Sequence, residues 1–279
     1  MLRKFFISGL IKSGTTFLQR TLSLHPQIDC KPEQDFGYLL RSVNEIYVNY
    51  NSKLSNLHRI IGVDQYQLSE EVAVKFYLSI INGIFKDLPN GKNISGINDN
   101  GYFIRNADSF LDNFPEAKII FIVRHPIDSA LSYWDHNSRL YKQSGNINFL
   151  KKLEVDNKLD KNAFIIDRMS KWNNATDVIC AYEKNERVKI VKYEDLVHEK
   201  INTLSDVLNF LEAKFDSKLM TFLERESSLE RMKANSPNPS FYFKGRTSRG
   251  EDELSKDTII KAIKISQQNL LKLKYDLSS

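Results

Sequence analysis

The chain has 279 residues, 41% of them hydrophobic, with 40 Lys and Arg against 35 Asp and Glu, a net charge of +5. That length supports one large domain with its own core, and so mild a charge excess lacks the dense basic stripe of a nucleic-acid binder. Two cysteines exclude a disulfide framework, five scattered histidines show no zinc-ligand spacing, and no run reaches the roughly 18 apolar residues of a membrane span, so neither a metal nor a membrane segment is expected.

Lys4-Phe-Phe-Ile-Ser8 is a short apolar run that predicts a buried strand. Phe17, Leu18, Leu22 and Leu24 recur at helical spacing and predict a helix over 15–23. Between them lies Gly9-Leu-Ile-Lys-Ser-Gly-Thr-Thr16, whose two glycines keep the Walker A spacing G-x-x-x-x-G-K-[ST]. Thr15 occupies the lysine slot, however, and Lys12 lies inside the loop. Free N–H groups of the turn and the helix dipole make an anion site, to which Ser13, Thr15 and Thr16 add hydroxyls. The displaced lysine argues against ATP hydrolysis and for a different phosphate-bearing donor. The first eleven residues are too short for a signal peptide and run straight into this loop, which with the cysteine usage leads us to expect a cytoplasmic protein.

Residues 36 to about 92 read as helical and aromatic, with Phe36, Tyr38, Tyr47, Tyr50, Tyr66, Phe76 and Tyr77 expected to pack the core and, secondarily, to wall an acceptor pocket. Ala117-Lys-Ile-Ile-Phe-Ile-Val123 is the β-branched run of a strand buried in a parallel sheet. Arg124-His-Pro follows, with Pro126 suited to the first turn of a helix. Arg124 thus lies at the carboxyl end of a strand, where open α/β sheets bind ligands, and Ser132, eight residues on, can point back toward it. Residues 135 to 165 are polar and are expected to form a lid or helical insertion. Arg187-Val-Lys-Ile-Val-Lys-Tyr-Glu-Asp-Leu196 reads as a strand, and residues 201–211 as an amphipathic helix. The Lys-rich segment 256–274 predicts another, packing through Ile259, Ile260, Ile263, Leu270 and Leu271. The fold class expected is a single α/β domain, 1–279, with a mainly parallel sheet flanked by helices.

Lys12-Ser-Gly-Thr-Thr16 resembles the 5′-phosphosulfate loop of the sulfotransferases, P-loop-like enzymes that move a sulfuryl group from 3′-phosphoadenosine 5′-phosphosulfate (PAPS) to an acceptor hydroxyl or amine, leaving adenosine 3′,5′-bisphosphate (PAP). The resemblance implies that Lys12 contacts the phosphosulfate and assists the leaving phosphate, with Ser13, Gly14, Thr15 and Thr16 cradling it. It implies that Arg124 and Ser132 hold the 3′-phosphate, and that Phe17, Tyr193, Ser227 and Leu229 contact the adenine. Phe241-Tyr-Phe-Lys-Gly-Arg-Thr-Ser-Arg-Gly250 resembles the family's Arg-Lys-Gly loop, within a nucleotide-capping segment at about 235–253. Lys244 and Gly245 match it, whereas Phe243 stands for Arg, Ser248 for a second glycine and Gly250 for Trp. Arg246 or Arg249 could restore the missing charge on the 3′-phosphate.

The general base is less conventional. Where small-molecule sulfotransferases carry a histidine, Gly96-Ile-Asn-Asp-Asn100 has none, and Asp99 is its one titratable side chain. Protein-tyrosine sulfotransferases place a glutamate after the first helix, and Glu33, 21 residues after Lys12, is in register with it. Glu33 ranks first and Asp99 second; His25 reads as structural. The resemblance implies a PAPS donor, no metal, no nucleic-acid partner, and a small-molecule or carbohydrate acceptor. The alternatives are a P-loop-type small-molecule kinase and a non-catalytic nucleotide-binding protein.

Overall fold

The computed structural model describes residues 2–63, 67–99, 101–236 and 245–277. Its strands are β1 (Arg3–Gly9), β2 (Ile28–Lys31), β3 (Ile94–Asn98), β4 (Ala117–Val123) and β5 (Val188–Lys192). They pair in the order β2-β3-β1-β4-β5, all parallel, with Ile7 opposite Asn98 on one side and Ile120 on the other. The connection from β3 to β4 passes over β1, so the carboxyl ends of β1 and β4 flank the switch in topology at which such sheets bind ligands.

Both faces of the central strands are buried, which is why they read as unbroken apolar runs. Phe6, Ile119, Phe121 and Val123 face one helical layer, while Phe5, Ile7, Ile120 and Ile122 face the other, the period-two alternation of a strand. The first layer holds α2 (Phe36–Ile61), α3 (Glu70–Lys86), α4 (Tyr102–Asn113), α7 (Lys161–Ala181) and α13 (Lys256–Lys272). Phe6 is its hub, with ring centroids of Phe103, Phe85, Phe110 and Phe114 at 4.2, 5.0, 5.1 and 5.7 Å. The second layer packs α1 (Thr15–Ser23), α8 (Tyr193–His198), α9 (Lys200–Phe210) and α10 (Ser217–Glu226) through Leu18, Leu22, Leu196, Leu204 and Leu223. Beyond the sheet, α5 (Pro126–Ser144) packs on α7 and α13 around Leu131, Phe164 and Met169.

The predicted strands and the helices at 15–23, 201–211 and 256–274 are present, and Pro126 opens α5 as its first residue. Three expectations need correction. Tyr193-Glu-Asp-Leu196 is the start of α8 rather than the end of a strand. In the segment 36–92, Phe36 and Tyr77 are buried, but Tyr38, Tyr50 and Phe76 are 64%, 50% and 52% exposed. The reason is that α2 buries only Phe36, Val43 and Asn51 of its 26 residues, leaving most of its girth to solvent. On α13 the core takes Ala262, Ser266 and Leu270, spaced by four, with Ile259 and Ile263 partly buried beside them. Leu271 sits one residue past that stripe and Ile260 two before it, rotated by about 100° and 200°, and they are 56% and 65% exposed. The polar segment 135–165, expected as a lid or helical insertion, is largely helical: α5 runs to Ser144, followed by α6 (Asn148–Lys151) and then α7, whose first turn is capped by Asp160 accepting from the N–H groups of Asn162 and Ala163. Tyr66 and Phe243 lie outside the described residues.

Candidate active site

The loop after β1 turns on two left-handed residues, Lys12 at φ 72° and Gly14 at φ 108°. At Gly14 a Cβ would lie 2.4 Å from Tyr193 Cδ2, so the glycine is required both by the turn and by the ring against it. Ser13 N–H donates to the Leu10 carbonyl at 3.0 Å, closing the turn, and α1 begins at once at Thr15. Successive N–H groups therefore converge on the helix N-terminus, the geometry of an anion nest. Burial, then Arg139 and Arg124, push the Lys12 ammonium down to about 8, while Glu33 opposes them. Lys12 and Glu33 thus act on each other across the same space.

Arg124 is the joint of the site. It follows β4, is 6% exposed, and donates from Nη1 to the Lys12 carbonyl at 3.2 Å and from Nη2 to the Arg246 carbonyl at 2.8 Å. Its guanidinium lies 4.5 Å from the Tyr193 ring centroid, and its own carbonyl accepts from Trp172 Nε1 at 2.9 Å. The next turn is held from outside: His125 N–H donates to Glu194 Oε1 at 2.9 Å, and Tyr275 O–H donates to Glu194 Oε2 at 2.8 Å. Burial raises the Glu194 carboxyl, which these two bonds oppose.

A third wall descends from α8 to α11 (Leu229–Ala234). The Phe17 and Tyr193 rings meet edge to face at 6.2 Å. Lys200 Nζ lies 5.6 Å from the Phe17 centroid and donates to the Ser227 carbonyl at 3.4 Å. A Cβ on Gly245 would come within 3.1 Å of Leu229, which places Gly245 against that side chain.

These walls enclose a cleft of about 590 Å³. Of the sequence-derived candidates, Lys12, Gly14, Thr15, Thr16, Phe17, Glu33, Arg124, Ser132, Tyr193, Ser227, Leu229 and Gly245 all line it. Ser13 lies beneath the loop, buried. Asp99 is 2% exposed and does not line the cleft; its Oδ2 accepts from Phe36 N–H at 3.1 Å, fixing the start of α2. Arg246 contributes its carbonyl to Arg124 while its side chain is exposed. Lys244 lies outside the described residues. Arg249 lines the cleft instead, buried, with its guanidinium on Asp135 and Glu253 and its N–H on Asp128 Oδ1 at 2.9 Å. Sequence reasoning missed Arg20, Asn98, Asp135, His136, Arg139 and Lys200, which also line it. For three of them a signal existed: Asp135, His136 and Arg139 follow Ser132 at i+3, i+4 and i+7, one face of a helix.

The sequence model described as the sulfotransferase family matches residues 4–217. No curated protein matches the sequence. Among solved structures, the fold is similar to mouse sulfotransferase SULT7A1 complexed with PAP, at 15% identity and a TM-score of 0.64, covering 96% of this chain and 84% of that one. It is also similar to a sulfotransferase from Alicyclobacillus acidocaldarius, at 16% identity and 0.54, covering 98% and 96%. A third is retinol dehydratase in a complex with retinol and PAP, at 16% identity and 0.54, covering 97% and 82%. The chain belongs to the sulfotransferase family.

Proposed function

We propose that this sulfotransferase takes its sulfuryl group from PAPS, binding the donor between the loop 9–16, Arg124 and the wall formed by Phe17, Tyr193, Ser227 and Leu229. One observation carries the reading: Arg124 ties Lys12, Arg246 and Tyr193 together in one cleft, as a nucleotide with phosphates at both ends of its ribose would require. The residues fit that donor. Arg124 Nε is buried and, among the described residues, has no hydrogen-bond partner; buried polar groups of that kind are normally satisfied. That the mouse and retinol dehydratase structures contain PAP agrees with the assignment.

The donor supplies an activated sulfuryl group on a phosphate oxygen. The residues of this chain do the rest. The N–H groups of the loop and the Thr15 and Thr16 hydroxyls hold the phosphosulfate. Lys12 sets a positive charge where negative charge grows as the S–O bond breaks. Arg124, whose planar fork matches phosphate oxygens, and Ser132 hold the 3′-phosphate. Lys244, Gly245 and Arg246 cover the nucleotide. Glu33 accepts the proton that the acceptor hydroxyl loses as its oxygen bonds to sulfur; Asp99, engaged at the start of α2, ranks behind it. The acceptor is a small molecule or carbohydrate, in line with the retinol bound to retinol dehydratase. Among the described residues no helix is long and apolar enough to cross a membrane, and we assign the enzyme to the cytoplasm.

Calorimetric titration with PAP, against ATP with Mg²⁺, tests the donor. Tight PAP binding that Arg124→Ala weakens by about 30-fold or more, the effect of losing a buried phosphate-paired cation, is the expected result. Preference for Mg-ATP, or magnesium-dependent ATP turnover, would return the loop to the kinase reading. PAP binding without transfer to any acceptor in a broad screen would favour a non-catalytic binder.

A further inference from the structure

Along α5 the cleft carries side chains that the donor assignment leaves unused. α5 presents Ser132, Asp135, His136 and Arg139 to it, and Arg139, seven residues past Ser132, lies about 10 Å further along the helix axis. Three charged groups act on His136: Lys12 from the loop, Arg139 from the next turn of its own helix, and Lys152 from the residue after α6. All are cations, and with burial they push the imidazole down to about 4, so it is neutral at pH 7. Asp135, the carboxylate acting on Arg139, is itself bridged to Arg249.

We infer that the acceptor carries an anionic group, a carboxylate or a sulfate ester, alongside the hydroxyl that is sulfated, and that Arg139 holds this anion with Lys152 adding to the attractive field. The inference rests on the donor assignment above and extends it to the substrate class. A guanidinium fork grips a carboxylate or sulfate through paired N–H donors. Neutral His136 and Glu33 are left to face the hydroxyl, while Lys12 stays with the phosphosulfate. A polyhydroxylated acid such as a uronic acid satisfies these demands.

The test uses the whole protein saturated with PAP, titrated calorimetrically with methyl β-D-glucuronide and with methyl β-D-glucoside, a pair that differs by one carboxylate. Each, and 2-naphthol, is then offered with PAPS and turnover is followed by PAP release. The glucuronide is expected to bind and react about 10- to 100-fold better than the glucoside, the range of a charge-assisted hydrogen bond. Arg139→Gln is expected to erase that preference with PAP affinity unchanged, Arg139→Lys to recover part of it, and Lys152→Gln to reduce it and its salt dependence. Equal or better use of the glucoside, best turnover on 2-naphthol, binding of neither glycoside, or a preference that survives Arg139→Gln overturns the inference. Should Arg139→Gln lose PAP binding, exposed Lys152→Gln carries the comparison. Failure of the unaltered protein to bind PAP defeats the donor assignment and this inference with it, whereas PAP binding without a charge preference defeats only the inference.

Discussion

Replacing Lys12 by Met separates what this side chain does for chemistry from what it does to stability. In the folded chain its ammonium is pushed from 10.5 down to about 8, first by burial and then by Arg139 and Arg124. Between those two values the unfolded chain binds more protons than the folded one, so stability rises with pH from about 8 to about 10.5, and below pH 8 the charged lysine works against the fold in full. A shift of that size corresponds to about 3 kcal/mol; because the side chain keeps some contact with solvent, about 1–2 kcal/mol is expected after screening. Met keeps the stem and takes the same left-handed backbone, φ 72°, so Lys12→Met is expected to raise the melting temperature at pH 7 by about 2–4 °C. The gain should fade as the pH approaches 10.5. Turnover moves the other way: removing the cation at the leaving oxygen is expected to slow it about 10²- to 10³-fold. In the unaltered protein kcat/KM, which reports the free enzyme, should fall as pH rises through about 8 as Lys12 loses its proton, and the variant should lack that limb. Scanning calorimetry from pH 6 upward and initial rates with a fixed acceptor measure both. A variant that melts lower at pH 7, or turns over within about threefold of the unaltered protein, refutes the placement of Lys12 as the buried cation of the reaction.

Glu33→Gln keeps the side chain's shape and removes its ability to take a proton, so kcat is expected to drop about 10²- to 10⁴-fold with PAP affinity unchanged; an unaltered kcat would move the proton acceptor elsewhere. In Gly14→Ala the new methyl would meet Tyr193 Cδ2 at 2.4 Å on a backbone at φ 108°. The left-handed strain alone is about 1–2 kcal/mol, and displacing the ring also disturbs its stack on Arg124. Calorimetry should show PAP binding weakened by tenfold or more, on the order of 1.4 kcal/mol. PAP binding as tight as in the unaltered protein would show that loop and ring do not need this contact.

The meeting of Lys12, Arg124 and Tyr193 in one cleft was legible because each part is announced by local chemistry. A buried strand, a glycine-bearing turn and a helix start are adjacent in sequence at residues 4–23, and Val123, Arg124 and Pro126 mark a strand end and a helix start within four residues. Parallel pairing then does the assembly, since it turns the carboxyl ends of β1, β4 and β5 to the same edge. Segments far apart in the chain must therefore meet there, and Lys12, Arg124 and Tyr193 do.

Side-chain direction was what motif spacing could not convey. Arg246 and Arg249 are equivalent by composition, yet left-handed turns at Gly245 and Ser248 aim the Arg246 carbonyl at Arg124 and leave its guanidinium in solvent, while Arg249 goes inward to Asp135 and Glu253. Asp99 stood at the right place in the chain, but the N–H of Phe36 claims its carboxylate, a long-range bond without a sequence signature. The later turns of α5 also line the cleft, and there the surface of a helix decides the lining and no motif constrains it. Even so, helical periodicity continued from Ser132 reaches Asp135, His136 and Arg139. The amphipathic signal that identifies most helices is an apolar stripe; over this stretch the face turned to the cleft carries these polar and charged side chains instead, so composition alone reads as a polar insertion.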